Sequence, residues 1–359
     1  MRAFALLSAL VLAPLALGAA GNPSVVPAAL PAIPRAAHTA TSFPGGRVLV
    51  TGGCVVDGCS RATATTELYR SRLGFSGGPR LTVPRAGHTG TRLPGGRVLL
   101  VGGYSAEGTE ALATAEVCSL VRCRAVGRLS EGRGGHSAVA LAGGDVLVVG
   151  GYVRGRPLAT VERYDDRGAA FAPRAPLGTA RQAHTTTLLR DGRVLVVGGY
   201  RADGRAIAGA EVCDPVSDAW QAVGRLTRAR GKHAAIRLRD GRVLVLGGAP
   251  DGETRTRLRA TELFESETGR FAPGPMLRIG RYKLVDAVAR TADGRVVVAG
   301  DASLVEVVSA RADAVAVASG TLGSRRAFAT ATTSGAGVLV VGGYDESIAI
   351  KPGAFLVRR

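Results

Sequence analysis

RAGHTGTRLPGGRVLLVGGY, running from Arg85 to Tyr104, decides the fold. An arginine and a histidine three residues later open the alternating stretch His88–Leu93. Pro94-Gly95-Gly96 then turns the chain into the apolar run Arg97–Val101, which ends on Gly102-Gly103. Short alternating or apolar runs bounded by Gly and Pro read as two antiparallel strands. The glycine pair marks backbone that needs φ values only glycine adopts cheaply. The phrase recurs as Arg35/His38 before Gly52-Gly53, Arg133/His136 before Gly150-Gly151, Arg181/His184 before Gly198-Gly199 and Arg230/His233 before Gly247-Gly248. In all five units the histidine stands fourteen residues ahead of the first glycine. By the same count, Lys283 and Asp286 precede Gly300-Asp301, and Arg325 and Phe328 precede Gly342-Gly343, as two degraded copies.

Each unit continues into a third strand holding a glutamate (Thr65–Tyr69, Ala210–Cys213) and a short fourth strand (Ala219–Val223). The first glycines lie 50, 48, 48, 49, 53 and 42 residues apart. Four-stranded units with a period of about fifty residues are the mark of kelch blades. The chain resembles the kelch family over essentially everything after residue 20. Six glycine doublets, most followed by tyrosine (Tyr104, Tyr152, Tyr200, Tyr344), match the family motif, as do Asp214-Pro215 and Trp220. Cys54 and Ala249 stand where units one and five depart from that tyrosine. The resemblance implies an all-β, seven-bladed propeller with four-stranded blades over residues 21–359. The last unit has no fourth strand of its own, and Ser24–Arg35 aligns with Gly74–Arg85. The N-terminal segment is therefore expected to supply the outer strand of the last blade and cover its edge.

Arg2, the apolar run Ala3–Leu17 and the small residues Gly18-Ala19-Ala20 form an export signal, with cleavage expected after Ala20. This gives a signal peptide over 1–20 and a secreted or periplasmic mature protein, expected to be a monomer without a membrane span. An exported chain meets oxidising conditions, so Cys54 with Cys59 and Cys118 with Cys123 are expected to form two local disulfides. Cys213 reads as a buried strand thiol.

The formal charge is +18, carried by 46 basic residues of which only Lys232, Lys283 and Lys351 are lysines. The arginines are spread over every unit, and aromatics make up 4% of the chain. A basic groove interleaved with stacking rings is thus not indicated, and no specific nucleic-acid partner is expected.

The repeated bases Arg35, Arg85, Arg133, Arg181, Arg230, Lys283 and Arg325 carry two readings. They could form an anion-attracting rim at the channel mouth. Alternatively, they pair internally with the equally repeated Glu67, Glu116, Glu162, Glu211, Glu262 and Glu306. The five histidines, one per unit, read as local hydrogen-bonding residues and not as metal ligands, which converge in small sets. Residues that break the repeat are more telling. Unit six has Arg281, Tyr282, Lys283 and Asp286, where a carboxylate beside an amine and a phenol could orient a polar ligand. Metalloprotease, phosphate-loop, nucleophile-elbow and calcium-loop signatures are absent. The function expected is therefore non-enzymatic: a recognition scaffold for a protein or glycan, anionic in character, without metal or cofactor. The kelch resemblance leaves a carbohydrate-active enzyme, similar to the sialic-acid epimerases, or an envelope structural protein as alternatives. A galactose-oxidase-like copper site does not map, because all five histidines belong to the repeat.

Overall fold

The computed structural model describes residues 22–358 except 106–109, 253–255 and 336; the signal segment expected over 1–20 lies outside the described residues. Seven four-stranded antiparallel sheets stand in a ring. Blade one shows the pattern from the axis outward: Thr39–Phe43, Arg47–Thr51, Thr66–Arg70 and Gly74–Gly77. First strands of neighbouring blades contact one another around the axis and enclose a channel. The glycine doublets all reach one face of the ring, the glycine face. The hairpins joining first and second strands all reach the opposite turn face.

Blade seven is completed from the other end of the chain. Its strands run Thr330–Ser334, Gly337–Val341, Ala354–Arg358 and then Ser24–Pro27. Ser24 pairs with Arg358 and Pro27 with Phe355, so the N-terminal strand covers the edge that would otherwise be left open.

The middle residues of the second strands are apolar because both of their faces meet a neighbouring blade. Leu99, Val101 and Val117 of blade two pack against Val146, Val148 and Tyr164 of blade three, all nearly inaccessible to water. Each such side chain contributes about 1.5–3 kcal/mol of burial. Tilted aromatic pairs (Tyr69–Phe75, Tyr164–Phe171, Phe264–Phe271) close the outer side of blades one, three and five at ring separations of 5.0–5.1 Å.

The doublets explain themselves in the contacts of Gly102 and Gly103. Their φ values are 61° and 88°. A Cβ on Gly102 would lie 2.5 Å from the carbonyl oxygen of Arg133, which belongs to the next blade. Gly103 N–H donates to that same oxygen at 2.9 Å. Gly53 to Arg85, Gly151 to Arg181, Gly199 to Arg230, Gly248 to Arg281 and Gly343 to Arg35 repeat the bond, and the last one closes the ring. In blade six Asp301 takes the second glycine's place at φ 60° and donates to the carbonyl of Arg326.

Cys54 is bonded to Cys59 and Cys118 to Cys123. The second pair sits directly across the hairpin between third and fourth strands. Cys213 is buried and free, and burial pushes its thiol up to about 11.

Candidate functional site at the glycine-face mouth

The repeated arginines turn inward. Arg85 and Glu116 are both fully buried and joined at 2.9 Å. Arg85 also donates through Nη1 to the carbonyls of Gly102 and Thr114. The other carboxylate oxygen of Glu116 accepts the backbone N–H of Thr82. The same arrangement joins Arg35 to Glu67, Arg133 to Glu162, Arg181 to Glu211 and Arg230 to Glu262. Burial lowers each guanidinium's pKa and the paired carboxylate raises it again. The internal pairing thus engages these side chains, away from the mouth.

The register of the last two units needs correction. Arg281, not Lys283, carries the repeat role in blade six: it donates to the carbonyl of Gly300 at 2.6 Å and pairs with Glu306 at 2.7 Å. In blade seven the role falls to Arg326, not Arg325. Arg326 donates to the carbonyls of Gly342, Lys351 and Pro352 and lies 4.8 Å from the ring of Phe355. Phe355 stands at the strand position that holds glutamate in the other blades, and burial without a carboxylate lowers Arg326 to about 10. Arg325 instead pairs with Asp301. Leu284, not Asp286, occupies the histidine position of blade six, packing where a Cβ on Gly247 would meet it.

The histidines also differ from expectation. Each reaches across to the preceding blade through Nε2, a contact beyond the local backbone bonding expected. His88 Nε2 lies 3.2 Å from the hydroxyl of Thr39, His136 3.0 Å from Thr89, His184 2.7 Å from Ser137, and His233 2.9 Å from Thr185. His38 meets Thr330 at 3.0 Å, joining blade one to blade seven. Burial, reinforced by the neighbouring repeat arginine, holds His38, His136 and His233 down to about 3 and His88 and His184 well below the ordinary value.

Two residues after each repeat arginine the chain reaches the glycine-face mouth, always with positive φ. The residues are Ala37, Gly87, Gly135 and Ala183 in blades one to four, then Lys232, Lys283 and Phe328 in blades five to seven. Backbone bonds such as Gly87 N–H to Ala37 O and Lys232 N–H to Ala183 O link neighbours around the rim. The larger side chains gather. Lys283 Nζ donates to the Tyr344 hydroxyl at 2.6 Å and stands 4.9 to 5.6 Å from the rings of Tyr344, Phe328 and Tyr282. Lys232 Nζ approaches Tyr282 from 5.3 Å. Burial, and then the charges of Lys232 and Arg325, lower Lys283 to about 8. Beneath the cluster, buried Asp301 accepts the N–H of Tyr282 at 2.8 Å and pairs with Arg257.

A kelch-motif family model matches residues 133–177, which are blade three from its repeat arginine onward. Seven such blades make the ring. The chain is a kelch-repeat β-propeller. No curated protein matches it. Within this kelch propeller, two of the four unit-six residues singled out from sequence, Tyr282 and Lys283, do meet at the mouth. Arg281 lies in the buried pair below. Asp286 sits in a two-residue insertion at the inner edge of blade six, where its carbonyl accepts Ala331 N–H. Its side chain is open to water yet ringed by protein, and burial raises it to about 6. No hydrogen bond or ion pair among the described residues joins it to Lys283 or Tyr282. Sequence reasoning missed Lys232, Phe328 and Tyr344 as partners of Lys283. Lys232, Lys283 and Phe328 share one signal, the position two after the arginine, which is small in four blades and large in three, whereas Tyr344 follows the last glycine doublet.

Proposed function

We propose that this kelch propeller is an exported recognition scaffold that engages a carboxylate-bearing protein or glycan on its glycine face, over blades five to seven. One observation carries the reading. The rim position requires positive φ, which glycine adopts freely and other residues hold at a cost of about 1–3 kcal/mol. Gly87 and Gly135 meet it cheaply, whereas blades five and six place Lys232 and Lys283 there. Backbone need does not select lysine at that position, which supports a role for these side chains in recognition. Ammonium groups over aromatic faces suit an acidic group presented beside an apolar or sugar-ring surface. The two local disulfides fit an oxidising compartment and support export of the chain after residue 20. No helix among the described residues is long and apolar enough to cross a membrane. The separation of Asp286 from Lys283 gives no assembled acid–base pair, so the binding reading is preferred to an epimerase-like one.

Thermal unfolding of the mature chain tests it, with N-acetylneuraminic acid and polyglutamate as probes at 0.05 and 0.5 M NaCl. A stabilisation by one probe that survives high salt and disappears in Lys232→Ala/Lys283→Ala supports the assignment. Stabilisation that salt abolishes, or that persists in the double variant, overturns it.

A further inference from the structure

The channel has a second mouth, on the turn face. Arg92 and Arg237 lie four residues beyond the histidines of blades two and five. Arg290 lies at the same place in blade six, six residues beyond Leu284 because of the Val285-Asp286 insertion. The other four blades hold uncharged residues there. The three arginines line a cavity of about 500 Å³ together with Ser42, Thr332 and Thr333, and no aspartate or glutamate lines it.

Three like charges converging on one concavity repel one another, more strongly where water is displaced. Backbone contacts satisfy only part of the Arg237 and Arg290 forks. Arg237 Nη1 donates to the carbonyl of Leu188 at 2.8 Å, and Arg290 Nη1 to the carbonyl of Arg237 at 2.9 Å. The acids on the surrounding hairpins are already engaged by their own arginines: Asp191 by Arg193, Asp240 by Arg242 and Asp293 by Arg295. Arg190 and Arg239 add to the positive rim, each donating to a carbonyl of the next hairpin, Arg239 O and Ala292 O. A blade needs no arginine at this position to fold, since four of seven lack one.

We propose that the turn-face mouth is a binding site for a small polyanion, a compound with two or more phosphoryl or carboxylate groups, held among Arg92, Arg237 and Arg290. The remaining N–H donors of planar guanidinium forks match such oxygens in pairs. The cavity volume lies within the range of small-molecule sites. This site faces away from the lysine–aromatic cluster and does not depend on it.

Titration calorimetry of the mature protein with pyrophosphate and with citrate, at 0.15 and 0.5 M NaCl, tests the proposal. One probe is expected to bind at one site per chain, and which one binds separates phosphoryl from carboxylate recognition. Arg237→Ala/Arg290→Ala should weaken that probe by about tenfold or more. Arg72→Ala/Arg167→Ala, which removes the same charge from exposed outer turns, should leave it unchanged, as should Lys232→Ala/Lys283→Ala. If the alanine pair fails to fold, Arg237→Lys/Arg290→Lys keeps the charge, loses the forks and should still weaken binding. No binding of either probe at 0.15 M, or equal losses in the outer-turn variant, would sink the site and leave only a diffuse field, screened over about 8 Å at that salt.

Discussion

Lowering the pH from 7.5 to 5.5 should remove much of this propeller's stability, and the histidines set the size of the loss. All five are buried and held neutral, with His38, His136 and His233 lowered to about 3 and His88 and His184 well below 6.5. The unfolded chain binds protons at these sites near pH 6.5, while the native state binds none until far lower. Stability is therefore fully present above about pH 6.5 and is lost as pH falls towards 3. At pH 5.5 each histidine favours the unfolded state by RT ln(1 + 10), about 1.4 kcal/mol, or about 7 kcal/mol for five. That is comparable to the whole stability of many domains, about 5–15 kcal/mol. Ordinary carboxylates, with pKa values near 4, keep their charge across this window. Asp286, raised to about 6, and Asp301, also raised by burial, work in the opposite direction, but they are two groups against five histidines. Urea midpoints at pH 7.5, 6.5 and 5.5 measure the loss, and His136→Gln should flatten the dependence by about a fifth of the total. A midpoint unchanged at pH 5.5, or imidazole resonances of the folded protein that titrate near 6.5, would refute the argument.

Two further outcomes follow from the packing. Glu116→Ala leaves Arg85 fully buried without its carboxylate and should destabilise by about 3–5 kcal/mol in urea titrations; a loss under 1 kcal/mol would mean that water reaches the guanidinium. Deleting residues 22–27 uncovers the edge of Ala354–Arg358 and should lower the melting temperature and produce dimers or larger species by light scattering. A monomer with unchanged melting would show that the N-terminal strand does not close the ring.

The seven blades, the glutamate-bearing third strands and the closing strand were legible in sequence because each recurs within one unit. Arg85 through Gly103 contains its own strand signals, and Ser24–Arg35 aligns with a complete unit. The register of units six and seven was not legible. Counting back from the glycines assumes a hairpin of constant length. Blade six carries two extra residues, Val285-Asp286, and the blade-seven hairpin is one residue shorter, so the count landed on Lys283 and Arg325 instead of Arg281 and Arg326. The true marker is the bond from a glycine doublet to the arginine carbonyl of the next blade, a contact between units that no single unit displays. Arg92, Arg237 and Arg290 were hidden for a similar reason: only ring closure brings blades two, five and six to one cavity.

The inter-blade contacts also explain where function can be accommodated. Every blade docks its arginine carbonyl into the doublet, or the Gly300-Asp301 pair, of its predecessor. Five blades add a histidine that meets a hydroxyl on the preceding inner strand, but Leu284 in blade six and Ala329 in blade seven cannot do so. The junctions without that second contact, five to six and six to seven, are those over which Lys232, Tyr282, Lys283, Phe328 and Tyr344 gather. Departures from a structural rule are expected where a site is built, with the cost offset elsewhere in the fold. Here the Lys283–Tyr344 hydrogen bond and the Arg325–Asp301 pair span blades six and seven in place of the missing histidine contact. The side chains that form the candidate recognition surface therefore also hold its two blades together, so a ligand that engages Lys283 should be felt directly at the junction between blades six and seven.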